Sequence, residues 1–287
     1  MPRLAIVFVA LYILFVLHRG LGMPTNIDLA SFESKIPPMS SVLLQTNTRD
    51  GQLAFTDPKP PRILEVFRYQ SFNLRCEAAV IHGPPPRVYW MRNGSIVSPT
   101  DDQADVSPTN HTAVNVILFS VLSFNCVVPG DSGDYVCVAE TPTARIQTTT
   151  KVIVNTGPFS RSKHVSPHHK CSAYPTLAPH IFLSTRRYMP HAQDDVVLHC
   201  RSTGSPPPRN AWYFHAGLFR NATPDYLKKI QPYQQEKYQI LGNGDLVVKK
   251  ATVQHDLGYY ICGAMNLYGE DYAVSFLQPV LPAPGEV

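Results

Sequence analysis

The sequence predicts an all-β protein in which two β-sandwiches are joined by a long linker. A pattern of cysteine, tryptophan and tyrosine residues occurs twice in 287 residues, a length that suits about two domains. Proline is abundant, with 27 residues, and favours short strands with sharp turns because it is excluded from helix interiors and central strands. Charged residues make up 16% of the chain, against roughly 25% in typical soluble domains, which excludes a coiled coil or a highly charged nucleic-acid tail.

Each copy of the pattern starts and ends with a cysteine, and the two cysteines are 61 or 62 residues apart. A tryptophan follows the first cysteine, and the sequence D-x-G-x-Y-x-C contains the second. A β-sandwich buries alternate residues of two facing sheets, so cysteines on facing strands can meet across the core beside the tryptophan. The tyrosine hydroxyl can bond back to the backbone. Six cysteines allow 15 pairings, and their number alone does not choose among them.

This pattern resembles the immunoglobulin domain, and the predicted strands agree with it. Phe72, Leu74 and Cys76 alternate inward on one strand, and residues 243–248 resemble the D–E turn and strand E of intermediate-set (I-set) domains. The repeated spacing and the resemblance together imply two disulfides, Cys76–Cys137 and Cys200–Cys262. They also imply four core residues: Trp90, Tyr135, Trp212 and Tyr260.

The layout of the chain resembles that of small secreted invertebrate proteins with two immunoglobulin domains. These include the nematode zwei-Ig group and the insulin-binding two-Ig protein of insects, and the match is closest from Pro179 to Val280. Within that stretch, residues 242–246 and 278–281 show the resemblance most clearly. The resemblance implies capture of an insulin-like or other peptide ligand, or a neuronal role in cell adhesion, axon guidance or maintenance of axon position. No binding signature in the sequence chooses between these roles.

The N-terminus predicts a secreted, extracellular protein. Arg3 precedes an apolar run from Leu4 to Leu17, which is long enough for a signal peptide and short for a bilayer span of about 20 residues. Gly20 and Gly22 supply small residues before a cleavage site, and an uncleaved signal anchor is the alternative. The C-terminus has neither a hydrophobic anchor signal nor a retention tetrapeptide, so we expect the mature protein to leave the cell unanchored. Three sequons predict N-linked glycans at Asn93, Asn110 and Asn221.

These features divide the chain into six predicted segments. They are a signal peptide (1–22), an N-terminal extension (23–59), a first immunoglobulin-like domain (60–155), a basic Pro/His-rich linker (156–178), a second immunoglobulin-like domain (179–280) and a C-terminal tail (281–287).

The linker region is basic. From Thr141 to Gln193 there is no acidic residue, against seven Lys or Arg and five His. One interpretation is a solvated connection; the other is a patch for anionic partners such as sulfated glycans or acidic lipids, which would make the protein a matrix component. The topology predicts a third disulfide, Cys126–Cys171, because strand G and the linker leave the first domain at the end where Cys126 lies. A free or intermolecular thiol is the alternative.

Metal and catalytic sites are not expected. His164, His168, His169 and Cys171 are zinc-type side chains, but a thiolate ligand is unfavourable where disulfides form and the histidine spacing fits no closed site. Residues 130–133 resemble the serine motif of chymotrypsin-like proteases, and His199 resembles their base, but the order along the chain is reversed. We therefore predict a binding protein with no cofactor, no metal and no enzymatic activity.

Strand alternation predicts an apolar outer face on each domain. If Trp90 and Cys137 point inward, the residues immediately before and after each of them point outward. The second domain repeats this arrangement. Exposed contiguous apolar area usually marks an interface. The candidate interface residues are Tyr89, Met91, Val136 and Val138 in the first domain, and Tyr213, Tyr259 and Ile261 beside His215 in the second. The alternative is that strand C′, a loop or the linker covers this face.

Overall fold

A computed structural model of the chain describes residues 52–97, 112–156, 177–216, 227–231 and 236–281. The predicted signal peptide, Asn110, Asn221 and most of the linker and of the terminal extensions lie outside these ranges. So do His164, His168, His169 and Cys171. Within the described ranges the chain is built almost entirely of β-strands.

The first sandwich consists of two facing sheets. Strands β1, β3 and β6 form one sheet, and β2, β8, β7, β4 and β5 form the other in that order. The strands are β1 (Leu53–Phe55), β2 (Ile63–Phe67), β3 (Phe72–Gly83), β4 (Arg87–Arg92), β5 (Ser95–Ile96), β6 (Ala113–Phe124), β7 (Gly133–Glu140) and β8 (Arg145–Asn155), with a 3-10 turn at Pro129–Asp131.

The second sandwich follows the same plan. One sheet contains β10, β15 and β14, and the other contains β17, β16, β12 and β13. Its elements are β9 (Leu177–Met189), β10 (Val196–Leu198), β11 (Cys200–Ser205), β12 (Arg209–Ala216), β13 (Lys228–Lys229), β14 (Tyr238–Ile240), β15 (Leu246–Val248), α1 (Val253–Asp256), β16 (Gly258–Asn266) and β17 (Gly269–Leu277).

The first sandwich begins earlier than the boundary at residue 60 that the sequence suggested. Strand β1 lies within the predicted extension, and its Leu53 is 5% exposed and pairs with Val80 on β3. Prolines at 58, 60 and 61 interrupt the chain before β2, because proline cannot donate to a ladder. For this reason the sequence did not predict β1, the short strand that precedes these prolines.

The two cores are built around a disulfide and a tryptophan. Trp90 on β4 and Trp212 on β12 are both fully buried. Each pairs with a half-cystine on the adjacent strand of its own sheet, Cys137 on β7 and Cys262 on β16. Closing a loop of about 60 residues stabilises a domain by on the order of 4 kcal/mol in the chain-entropy model. The bonded pairs are Cys76–Cys137, with an S–S distance of 1.95 Å, and Cys200–Cys262, with 2.00 Å.

Each sandwich also contains a tyrosine that fixes the turn before its own strand, β7 in the first sandwich and β16 in the second. The Tyr135 hydroxyl donates to the Asp131 carbonyl at 2.9 Å, and the Tyr260 hydroxyl donates to the Asp256 carbonyl at 3.4 Å. Both rings are almost completely buried. The bond across four residues holds the turn against the core, as in the tyrosine corner of immunoglobulin domains.

The two sandwiches share one continuous sheet. Strand β9 pairs antiparallel with β6 of the first sandwich, from Asn115 opposite Met189 to Ser120 opposite Leu183. Its other edge pairs with β11 and, in parallel, with the end of β17. Among the described residues this gives a nine-stranded sheet that runs from β1 to β13. The domains are therefore joined side by side through strand pairing.

Candidate binding surfaces around the domain junction

The junction between the sandwiches is closely packed. Tyr188 of β9 is 3% exposed and belongs to a single hydrophobic cluster that includes residues of both domains. The space left at the junction is about 10 Å³, roughly the minimum needed to hold one water molecule. It is lined by Pro85, Val116, Leu118, Thr185, Tyr188, Val197 and His199. A shared core of this kind limits rotation of one domain against the other.

A largely buried glutamate side chain adds polar contacts across the junction. Glu77 on β3 accepts a hydrogen bond from Arg186 of β9 at 2.8 Å. It also accepts from Thr56 at 2.9 Å and from Arg75 at 3.1 Å. The Arg75 guanidinium lies 4.4 Å from the centre of the Phe119 ring on β6. Since the Glu77 side chain is 11% exposed, these charge-assisted bonds are shielded from solvent.

Replacing Arg186 with alanine is expected to lower the free energy of unfolding by about 1 to 2 kcal/mol. Among the described residues of the second domain, Arg186 is the one cation that the structure places against Glu77, and the substitution removes it. Arg145→Ala is the matched control, because Arg145 is half exposed and lies 3.7 Å from Glu140 within a single domain. Urea denaturation of the three proteins measures the effect, and equal midpoints for both variants would contradict it.

The predicted outer face of the first domain is not an exposed apolar patch. Charged side chains cover part of it: Arg87 lies 5.2 Å from the Tyr89 ring, and Arg145 lies 3.8 Å from the Met91 sulfur. The Tyr89 hydroxyl donates to Glu140 at 3.1 Å, and burial together with this bond raises the pKa of Tyr89. Two of the four predicted residues are buried, since Tyr89 is 8% and Val138 0% exposed, while Met91 and Val136 are half-buried. The interface role of this face stays a prediction.

In the second domain the predicted face exists, but its accessible residues differ from those predicted. The three predicted residues are buried, with Tyr213 8%, Tyr259 6% and Ile261 1% exposed. The neighbouring strand β17 contributes half-buried Tyr272, Val274 and Phe276 to the same face. Val274 pairs with Ile261 and Phe276 with Tyr259 across the ladder. The alternation of residues 272, 274 and 276 with inward residues is the sequence signal that could have located them.

A buried arginine, Arg187, borders this face on the side of the first domain and is 7% exposed. Arg187 of β9 pairs with Phe276 in the sheet, and its guanidinium lies 5.9 Å from the centre of the Phe276 ring. It donates to the side chain of Gln278 at 3.2 Å, and burial lowers its pKa. On β12, His215 pairs with Tyr259, and burial lowers the pKa of His215 as well. We name the row Tyr272, Val274, Phe276 and Arg187 the β17 face.

A buried aspartate organises the D–E turn of the second domain. Asp245, whose side chain is 1% exposed, accepts from the Arg201 guanidinium at 3.0 Å and the Cys200 backbone at 2.9 Å. His199 Nδ1 lies 2.9 Å from the same carboxylate. Burial raises the pKa of Asp245, but the charges and hydrogen bonds of His199 and Arg201 outweigh it and lower the pKa to about 2. Arg201 also lines a cleft of about 620 Å³, and its charge there is already neutralised by Asp245.

The residues that resembled a protease motif have structural roles. Ser132 lies in the first sandwich, where its hydroxyl accepts a hydrogen bond from the Val154 backbone at 3.0 Å. His199 lies in the second sandwich and contacts Asp245 as described. The serine and the histidine thus serve separate turns.

The remaining predicted sites are only partly described. Cys126 is disulfide-bonded, but Cys171, its predicted partner, lies outside the described residues, so this pairing stays a prediction. Asn93 is exposed in the turn between β4 and β5. No cluster of three metal-ligating side chains occurs in the described ranges. No helix there has the length and apolar character needed to cross a bilayer.

Comparison with known proteins agrees with this architecture. Residues 56–141 match the Immunoglobulin domain family. Zwei Ig domain protein zig-2 of Caenorhabditis elegans is 24% identical over 237 residues, which cover 81% of this chain and 88% of that protein. Human cell adhesion molecule DSCAML1 is 24% identical over 251 residues, 85% of this chain but 10% of that protein.

A solved structure has a similar two-domain fold. The crystal structure of neural ectodermal development factor IMP-L2 matches with a TM-score of 0.60 and 23% identity, and covers 82% of this chain and 97% of that chain. The relatives favour a role in binding or adhesion. The chain therefore folds into immunoglobulin-like β-sandwiches, and it is similar to the nematode protein zig-2 in sequence and to IMP-L2 in fold.

Proposed function

We propose that this protein is secreted and captures an insulin-like or other peptide ligand outside the cell. The observation that carries the proposal is the nine-stranded sheet with its shared core, which joins two domains into one preformed platform. Binding to a preformed surface avoids the cost of ordering two mobile domains. The predicted signal peptide and the disulfides support an oxidising, extracellular setting.

The β17 face is the proposed contact surface. It combines half-buried aromatic and aliphatic side chains with an arginine at its border that is 7% exposed. Aromatic residues and arginine are enriched at the energetically important centres of interfaces. Buried Tyr213 and Tyr259 lie beside these residues and support them from neighbouring strands. Tyr259 and Phe276 are in ring contact at 4.9 Å, so the half-buried residues rest on a fixed layer.

Affinity capture from native secretions tests the function and the surface together. The bait is the full chain, and Val274→Lys adds a charge to the β17 face. Thr149→Lys is the matched control, because Thr149 is exposed on the outer face of the first domain. We expect the wild type and Thr149→Lys to retain an insulin-like peptide, and Val274→Lys to retain at least about tenfold less.

Other outcomes would redirect the proposal. Recovery of a neuronal surface protein in place of a peptide would favour adhesion or axon guidance. Retention on heparin that disappears when residues 156–178 are deleted would favour a matrix component held by sulfated glycans. Either result without any captured peptide would overturn the proposed function.

A further inference from the structure

The β4–β5 hairpin of the first domain places a sequon on a tight turn. Asn93 and Gly94 have positive φ angles of 51° and 80°, and Arg92 pairs with Ser95 across the two-residue loop. This is the geometry of a type I′ turn, for which Asn-Gly is the preferred sequence. Asn93 is exposed, so the side chain that would receive a glycan points to solvent.

An apolar strand edge lies directly beside this turn. Among the described residues β5 is the last strand of its sheet. Ile96 is 41% and Val97 37% exposed, and Ile96 pairs with half-buried Met91. An exposed apolar edge is a template for pairing with another chain, and natural proteins usually protect such edges. The described residues 95–97 include no charged side chain that would discourage pairing.

The hairpin is held in place by Arg92. Its guanidinium donates to the carbonyl of Gly130 at 2.6 Å and to that of Ser132 at 2.9 Å. It also lies 5.2 Å from the centre of the buried Tyr135 ring. Because the hairpin is fixed to the turn that precedes β7, a group attached at Asn93 stays near the β5 edge.

We propose that an N-linked glycan on Asn93 shields the β5 edge and keeps the protein monomeric. Asn93 is three residues from Ile96, at most about 10 Å along the chain. A glycan is bulky, hydrated and solubilising, so at this distance it obstructs the approach of a second edge strand. The proposal rests on secretion, as in the proposed function, because the glycan is added only on that route.

The test compares variants of the full chain expressed in a glycosylating secretory host. Ser95→Ala removes the sequon and leaves Asn93 at its positive φ, whereas Ser95→Thr keeps the sequon. Glycan occupancy is measured by peptide mapping and self-association by sedimentation velocity. We expect wild type and Ser95→Thr to be glycosylated monomers, and Ser95→Ala to self-associate at least about tenfold more tightly. Adding Ile96→Lys to Ser95→Ala should restore the monomer.

The outcomes separate this proposal from the proposed function. Failure to recover the chain from the culture medium would overturn secretion itself. Glycans at Asn110 or Asn221 with an unmodified Asn93 would overturn the site assigned here and leave secretion standing. A glycosylated Asn93 with a Ser95→Ala variant that stays monomeric would overturn the shielding role.

Discussion

Replacing Asp245 with asparagine is expected to destabilise the second domain by about 3 to 5 kcal/mol. The substitution removes the Asp245 charge that faces the Arg201 guanidinium, which is 10% exposed. It also weakens the bond to His199 and the acceptor for the Cys200 backbone. Removing one member of a buried ion pair is costly because the other charge then stays desolvated and unpaired.

Chemical denaturation followed by tryptophan fluorescence measures this loss. Trp212 reports on the affected turn directly, because its indole donates to the Gly244 carbonyl at 2.8 Å. Asp134→Asn is the control: it removes the same charge from an exposed position on β7 and should change stability little. A midpoint for Asp245→Asn equal to that of the control would show that the network contributes nothing net.

The same aspartate predicts a loss of stability in acid. The pKa of Asp245 is lowered to about 2 in the folded protein, against about 3.9 in an unfolded chain. The stabilisation of about 2 to 3 kcal/mol is therefore complete above about pH 5 and is lost between about pH 4 and pH 2. Stability measured from pH 6 to pH 2 should fall less steeply for Asp245→Asn than for the wild type.

Replacing Tyr188 with alanine is expected to cost about 3 to 5 kcal/mol and to uncouple the two domains. Tyr188 is almost fully buried and lines the small space at the junction together with Val116 and Leu118 of the first sandwich and Val197 of the second. Its loss leaves a cavity where the cores meet. The wild type should unfold in one cooperative transition, and the variant in two, because each sandwich keeps its own disulfide.

Calorimetry distinguishes these cases, with Tyr268→Ala as the matched tyrosine control. Tyr268 is 48% exposed in the turn between β16 and β17, so its removal should leave a single transition near the wild-type temperature. Two transitions in the wild type itself would contradict the shared core. If Tyr188→Ala also weakens peptide capture while Tyr268→Ala does not, the rigid platform is required for binding.

The candidate surface shows where sequence alternation succeeds and where it stops. Alternation correctly assigned Tyr259 and Ile261 to the outer face, since side-chain direction has a period of two along any strand. It did not reveal that these residues are buried, or that Val274 and Phe276 are the accessible ones. Accessibility depends on neighbouring strands and covering side chains, such as Arg87 over Tyr89, which are distant in sequence.

The sequence by itself determined the two sandwiches, because the elements that define each are local. A cysteine, a tryptophan and a D-x-G-x-Y-x-C turn at fixed spacing suit one core, and Trp90 and Trp212 lie in those cores. Only the tertiary structure decided how the sandwiches are joined. The pairing of β6 with β9 and the contact of Glu77 with Arg186 depend on backbone edges and side chains far apart in the chain. A free strand edge accepts almost any partner strand, since backbone hydrogen bonds carry no sequence code, so no local pattern could predict the continuous sheet.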